Sequence, residues 1–202
     1  MLFRSDGYLR QVRQLCDEYN VLMVVDEIQT GLGRTGKLFC HQHENIKPDL
    51  LILGKALGGG LLPVSAVVGK KEILSLFKPG DHGSTFGGNS LSCAVALEAL
   101  SQINQPEFLN NVQSMGNYLK QELIKNIGLS KSVKDIRGKG LFIGVEFHEN
   151  VDVKSLIKEL LKNGIITKET HEKVVRLAPP LIISKKSLDK AIKVIKKTVD
   201  KI

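Results

Sequence analysis

The sequence contains no tryptophan, and its aromatic residues are limited to three tyrosines and seven phenylalanines. Lysine and arginine outnumber aspartate and glutamate, which gives a formal net charge of +8. A basic chain suggests a nucleic-acid partner, but proteins that hold single strands also need aromatic side chains on which bases stack. The lysines are instead spread along amphipathic segments and are densest near the C-terminus. We therefore interpret the charge as a solvated basic surface together with a site for an anionic ligand, and predict no nucleic-acid partner.

Cysteine is also scarce, and no CxxC pair is present among Cys16, Cys40 and Cys93. An odd number of widely spaced cysteines argues for reduced thiols in a cytoplasmic protein. No apolar run approaches the ~20 residues of a membrane span, and the opening MLFRSDG is too short and interrupted for a signal peptide. We expect a cytoplasmic protein with no membrane partner; for a eukaryotic source the mitochondrial matrix stays open.

The first half of the chain carries three segments typical of buried strands. The apolar runs are Val21–Val25, Asp49–Leu53 and Val64–Gly69, and a helical stripe from Tyr8 to Tyr19 precedes the first. Strands that are apolar on both faces lie inside parallel sheets covered by helices. Three strands alone form a small sheet with open edges. We therefore predict that this region is the C-terminal part of a larger parallel-sheet α/β domain.

The second half has the pattern of a small α+β domain. Two apolar stripes of helical period are separated near residues 104–106, and strands and helices alternate after them. We place the domain division between residues 1–104 and 105–202. The expected elements are helices around Leu91–Leu100, Phe108–Leu123 and Val153–Leu161, strands at Leu141–Phe147, Ile165–Thr167 and Val174–Leu177, and a last helix from about Ser187.

Asp26 and Lys55 each come directly after an apolar run, in DEIQTGLGRTG and in GKALGGG. A buried carboxylate and a lysine amine delivered from two strand ends are what a pyridoxal phosphate enzyme needs. The lysine forms a Schiff base with the cofactor aldehyde, and the carboxylate keeps the pyridine nitrogen protonated so that the ring accepts electrons. Taken alone, Lys55 also fits a surface lysine in a loop, and Asp26 a helix N-cap or turn residue.

Five segments, taken in order, resemble the class III (ornithine-type) aminotransferases of the fold-type I pyridoxal phosphate superfamily. They are LMVVDEIQTGLGRTGKLF, KPDLLILGKALGGGLLPVSAVV, PGDHGSTFGGN, IRGKGLFIGVEF and KETHEKVVRLAPPLIIS. The resemblance implies a fold-type I α/β transferase: the C-terminal part of the large parallel-sheet domain, then a small α+β domain. It also implies that the family's N-terminal half, with its phosphate-gripping turn and ring-stacking aromatic residue, is absent from this chain.

The resemblance assigns roles to residues around the predicted cofactor. Lys55 is the Schiff-base lysine and proton carrier, Asp26 contacts the pyridine nitrogen, and Gln29 lies near the phenolic oxygen. Ser84 and Thr85 precede a predicted helix, where hydroxyls and backbone N–H groups form an anion site, although an ordinary helix cap fits them equally well. In this family the threonine reaches the phosphate of the neighbouring subunit's cofactor, which implies a homodimer with a shared active site.

Arg176 stands inside the apolar run VVRLAPP. Arginine is rarely buried without a partner, and its planar fork suits a carboxylate such as that of an amino acid or 2-oxo acid substrate. We predict substrate binding by Arg176, with a structural ion pair as the alternative. Arg137 is assigned to a turn, paired with Asp135, and Glu27 to a structural role.

The function these expectations imply is transfer of the δ-amino group of ornithine to 2-oxoglutarate, giving glutamate 5-semialdehyde and glutamate. Acetylornithine or another ω-amino acid is the alternative donor. A second alternative, from a different class, is a non-catalytic fragment of such an enzyme. No metal is predicted, since His82 and His171 have no ligand-like spacing to another histidine or cysteine.

Overall fold

The computed structural model describes residues 6–202, which group into two compact units, 6–109 and 110–202. The division at residues 104 and 105 concerns the domains of the family fold and remains a prediction.

The first unit is built on a three-stranded sheet of order β1-β2-β3. β1 pairs in parallel with β2, and β2 pairs antiparallel with β3. Its elements are α1 (Tyr8–Glu18), β1 (Val24–Asp26), a 3₁₀ helix (Cys40–Glu44), β2 (Leu50–Leu53), a second 3₁₀ helix (Lys55–Gly58), β3 (Ala66–Gly69), α2 (Lys71–Leu74) and α3 (Ser90–Ile103).

The first strand is shorter and more exposed than the apolar run Val21–Val25 predicted. Pairing with β2 begins at Val24, which lies opposite Leu50 and is 51% exposed. Within this run only Met23 is buried, at 4% exposure. Because β1 is an edge strand of the described sheet, an apolar composition does not by itself bury it.

The core of the first unit lies between the sheet and α3. The buried cluster consists of Leu32, Leu51, Leu53, Leu57 and Ala96. Leu57 belongs to the short helix that follows β2, so the packing fixes the backbone just beyond the end of that strand.

The second unit has a four-stranded antiparallel sheet of order β4-β5-β7-β6. One face is apolar and buried, carrying Ile136, Ile143, Val145 and Val175. The elements are α4 (Pro106–Ile127), β4 (Val133–Lys139), β5 (Phe142–Phe147), α5 (Val153–Lys162), β6 (Lys168–Thr170), β7 (Val174–Leu177) and α6 (Lys185–Val199).

Two expectations for this unit are wrong. The strand predicted at Ile165–Thr167 is instead Lys168–Thr170, because the tight turn before Val174 pairs Thr170 with that residue. Arg137, assigned to a turn, lies within β4, a strand that the sequence pattern did not predict. β4 is polar and contains glycine, so its strand conformation comes from pairing with β5. The helices predicted from apolar periodicity are confirmed.

Candidate active site

Asp26 and Lys55 both lie at the carboxyl end of the parallel strands β1 and β2. Asp26 is the last residue of β1 and lies opposite Ile52 of the parallel strand β2. The Glu27 amide donates to the Ile52 carbonyl at 2.9 Å, which extends the pairing by one residue. Lys55 follows two residues after β2 ends at Leu53. Ligands of α/β proteins bind outside the carboxyl ends of parallel strands, so both side chains stand where such a site is expected.

Lys55 has an unusual backbone conformation. Its φ is +52°, in the left-handed region that a side chain with a Cβ seldom occupies. It begins the short helix Lys55–Gly58, and its side chain is exposed. Gly54, the residue before it, is buried. A Cβ atom at Gly54 would lie 3.6 Å from side-chain atoms of both Ile28 and Ser65, which is ordinary van der Waals contact. Strained backbone held in place by packing is concentrated at functional sites.

Asp26 is exposed, whereas a buried carboxylate was expected. Its Oδ1 accepts a hydrogen bond from the Ile28 amide at 2.9 Å, which closes a turn directly after β1. The exposure follows from the edge position of β1, where alternate side chains point away from the core. The buried carboxylate at this strand end belongs to its neighbour, Glu27, at 1% exposure.

Glu27 organises the loop that follows β1. Its carboxylate accepts hydrogen bonds from the amides of Cys40 at 2.6 Å and His41 at 2.8 Å, and its Oε1 lies 2.8 Å from the His41 Nδ1. The His41 ring stacks on Phe39 with centroids 5.7 Å apart. Sequence reasoning assigned Glu27 a structural role but missed His41, because the two residues are fourteen positions apart and form no recognisable motif.

Gln29 lies half-buried in this same loop, three residues beyond Asp26. The structure therefore brings Asp26, Gln29 and Lys55 to one end of the sheet in the first unit. The roles assigned to them remain predictions.

Ser84 and Thr85 are exposed and lie in the segment between α2 and α3. The Ser84 hydroxyl accepts from the Gly87 amide at 3.0 Å, which makes a local turn. The cap of α3 is Asn89, whose side chain accepts from the Ser92 amide at 2.9 Å. Ser84 and Thr85 therefore do not cap the helix, and the alternative reading of them as an ordinary cap is wrong.

Arg176 lies in the second unit, inside β7, and is half-buried. It is paired across the sheet with Gly144 of β5 and with Lys168 of β6. The Thr167 hydroxyl donates to the Arg176 carbonyl at 2.7 Å and so fixes the backbone beside it. Arg137 makes the predicted ion pair with Asp135, at 2.7 Å.

Residues 6–202 contain neither a cluster suited to a metal ion nor a helix suited to a membrane span. No group of three or more histidine, cysteine, aspartate or glutamate side chains in that range is arranged to hold a metal ion. Over the same range, no helix has the length and apolar character needed to cross a bilayer.

The profile of the aminotransferase class-III family matches residues 1–199. The chain belongs to the class III aminotransferase family. It is 50% identical over 191 residues to ornithine aminotransferase 2 of Staphylococcus aureus (strain MRSA252), covering 95% of this chain and 47% of that protein. The chain therefore spans about half the length of this relative.

Solved structures of aminotransferases have the same fold. Ornithine aminotransferase from Plasmodium yoelii superposes with a TM-score of 0.92 at 47% identity, over 97% of this chain and 52% of that one. Acetylornithine aminotransferase from Elizabethkingia anophelis gives a TM-score of 0.90 at 42% identity, over 98% of this chain and 50% of that one. These matches confirm the fold-type I α/β class expected from the sequence.

Proposed function

We propose that this class III chain provides the catalytic half of a pyridoxal phosphate-dependent aminotransferase. Its reaction transfers the δ-amino group of ornithine to 2-oxoglutarate, giving glutamate 5-semialdehyde and glutamate. The observation that carries the proposal is the position of Lys55. This lysine has a left-handed backbone conformation and lies at the carboxyl end of the two parallel strands, where Asp26 also lies. Relatives about half identical to this chain that bear the name ornithine aminotransferase support the choice of donor.

The residues at the carboxyl end of β1 and β2 fit pyridoxal phosphate. When bound, pyridoxal phosphate supplies an aldehyde carbon that takes up amino groups and a ring that withdraws electrons from the reacting carbon. Lys55 provides the amine for the aldehyde, Asp26 the carboxylate for the ring nitrogen, and Gln29 a hydrogen-bonding group for the phenolic oxygen. The exposure of both charged side chains leaves them accessible to a ligand. A Toxoplasma gondii relative, 40% identical, is described as having partial occupancy of PLP at its active site.

Lys55 also moves a proton in the proposed reaction. With the cofactor bound and its own amine released, Lys55 would take the proton from the substrate carbon with Nζ and would deliver that proton to the former aldehyde carbon of the cofactor.

Ser84 and Thr85 are proposed to contact the phosphate of a cofactor bound by a second copy of the chain. Both are exposed and precede α3 by several residues, so they are available to a neighbouring molecule. This arrangement makes the enzyme a homodimer with a shared active site. Arg176 is proposed to bind the substrate carboxylate through its planar fork.

Acetylornithine is the second candidate donor, favoured by the Elizabethkingia structure, whose similarity is nearly as high. The two donors differ in their α-amino group, which is free and cationic in ornithine and acylated in acetylornithine. Comparing kcat/KM for the two donors in one enzyme preparation distinguishes them.

The test is a chimera in which these 202 residues replace the matching part of the Staphylococcus aureus relative. We expect the chimera to transaminate ornithine, Lys55→Ala to abolish turnover, and Lys71→Ala, an exposed lysine of α2, to have little effect. Borohydride should fix the cofactor covalently on Lys55. A label on another lysine, or full turnover without Lys55, refutes the proposal.

A further inference from the structure

Glu27 and His41 form a buried polar pair immediately beyond Asp26, the carboxylate proposed for the ring nitrogen. The Glu27 side chain is 1% exposed and the His41 side chain is 10% exposed. Removing a carboxylate from water is costly unless donors satisfy its oxygens. Neither side chain takes part in the proposed reaction, so their burial beside Asp26 points to an effect on the backbone that carries Asp26.

The backbone of Glu27 is tied on both sides. Its amide donates to the Ile52 carbonyl at 2.9 Å, and its carbonyl accepts from the Gly31 amide at 3.0 Å. The turn is tight, because a Cβ atom at Gly31 would lie 2.8 Å from the Glu27 carbonyl oxygen and 3.0 Å from its Oε2. Within this turn the Ile28 amide donates to the Asp26 Oδ1 at 2.9 Å. The direction of the Asp26 carboxylate therefore depends on the shape of the turn.

The Glu27 carboxylate ties the same turn to the start of the 3₁₀ helix Cys40–Glu44. Its Oε2 accepts from the Cys40 amide at 2.6 Å, and its Oε1 accepts from the His41 amide at 2.8 Å. The His41 Nδ1 also lies 2.8 Å from Oε1. Because a carboxylate can only accept, we assign the hydrogen of this contact to Nδ1. Of these three donors, the imidazole is the one that a substitution can remove without changing the backbone.

We propose that His41 is a positioning residue for pyridoxal phosphate, which acts through Glu27 on the turn that directs Asp26 at the ring nitrogen. This inference rests on the proposed function and deepens it, since it names what holds the ring-nitrogen carboxylate in place. A reacting group displaced by about 1 Å can lose about 100-fold in rate. His41 supplies one of three hydrogen bonds to Glu27, so its loss should weaken cofactor binding and turnover by about tenfold.

Two amide variants of His41 in the chimera separate positioning from packing. The asparagine side-chain nitrogen is bonded to Cγ, as Nδ1 is in histidine, whereas the glutamine nitrogen lies one bond further out. Both variants lose the ring that stacks on Phe39. By equilibrium dialysis of the cofactor-free chimera, His41→Asn should keep the Kd for pyridoxal phosphate within about twofold and His41→Gln should raise it about tenfold. His148→Gln, at an exposed histidine of the second unit, is the control and should leave the Kd unchanged.

A double-mutant cycle with Asp26→Asn tests whether His41 acts through Asp26. The Asp26→Asn chimera has no carboxylate left to direct, so adding His41→Gln should change the Kd by less than about twofold. A large rise in Kd that persists in this background overturns the proposal, and so do equal Kd values for His41→Asn and His41→Gln. If His41→Gln does not fold, His41→Ala replaces it, because alanine also lacks the N–H group.

Turnover distinguishes this proposal from the proposed function. A chimera that binds pyridoxal phosphate without transaminating ornithine refutes the proposed function, and the cycle of Kd values still decides the role of His41. An active chimera whose Kd is unchanged in His41→Gln refutes the role of His41 alone. A chimera that binds no pyridoxal phosphate refutes both.

Discussion

Replacing Glu27 with alanine should destabilise the first unit substantially. The carboxylate is 1% exposed and accepts hydrogen bonds from two backbone amides and lies against the His41 ring nitrogen. Alanine leaves all three groups without this acceptor; the two His41 groups are buried and the Cys40 amide is partly buried. Each buried donor that loses its partner costs roughly 1–3 kcal/mol. The three share one loop and relax together, so we expect a loss of about 3–5 kcal/mol in the free energy of unfolding, as for a broken buried pair.

Urea unfolding of the chimera, followed by far-ultraviolet circular dichroism, measures the loss. Hydrogen exchange should locate it, with the Cys40 and His41 amides losing protection first. Glu72→Ala is the matched control, because that side chain is 76% exposed and lies 3.9 Å from Lys70. Its effect should stay under about 0.5 kcal/mol. A Glu27→Ala chain as stable as the Glu72→Ala chain would show that the carboxylate does not hold the loop.

Three further outcomes are expected. In the chimera, Arg176→Lys should raise KM for 2-oxoglutarate about tenfold and lower thermal stability little, because the charge is kept and the planar fork is lost. An unchanged KM with a large loss of stability would mean that Arg176 forms a structural ion pair. The hydrogen bond from the Met23 amide, together with Arg13, lowers the pKa of Asp49 to about 2. Ionised Asp49 therefore stabilises the folded chain above the pKa that it has in the unfolded chain, and this contribution is lost as the pH falls toward 2. Urea unfolding of the chimera at a series of pH values should show this loss of stability, on the order of 1–2 kcal/mol, and the Asp49→Asn variant should not show it. The 202-residue chain alone should aggregate and fail to transaminate, because the edge strand β1 and many apolar side chains are exposed. A monodisperse dimer of this chain that transaminates ornithine would contradict the prediction.

Elements with strong periodicity were predictable from the sequence. The helical stripes after residue 90 became α3 and α4, and their separation at Asn104 to Pro106 is where the structure breaks them. The run Val174–Leu177 became β7 with the predicted bounds. These features depend on local spacing and on proline and capping residues, which a sequence displays directly.

Features that depend on distant pairing were not predictable. β4 is a strand because β5 lies beside it, although its own residues are mostly polar. Asp26 is exposed because β1 is an edge strand, and Glu27 is buried because residues fourteen positions away supply its donors. The pairing of Lys168 with Arg176 likewise depends on the register of β6, which the sequence placed three residues too early.

At the candidate site, the sequence identified residue types and the strand ends that deliver them. It did not reveal the left-handed backbone of Lys55, because no neighbouring residue signals that conformation. Nor did it separate Ser84 and Thr85 from the helix cap, since Asn89 takes that role.

The left-handed backbone at Lys55 lowers the stability of the folded chain at a position that is proposed to act in the reaction. A φ of +52° suits glycine, and a side chain with a Cβ held there raises the energy of the folded chain by about 1 kcal/mol. Glycine at this position should therefore make the protein more stable while removing its amine. Selection for stability alone would favour glycine at this position, and the proposed reaction accounts for a lysine there.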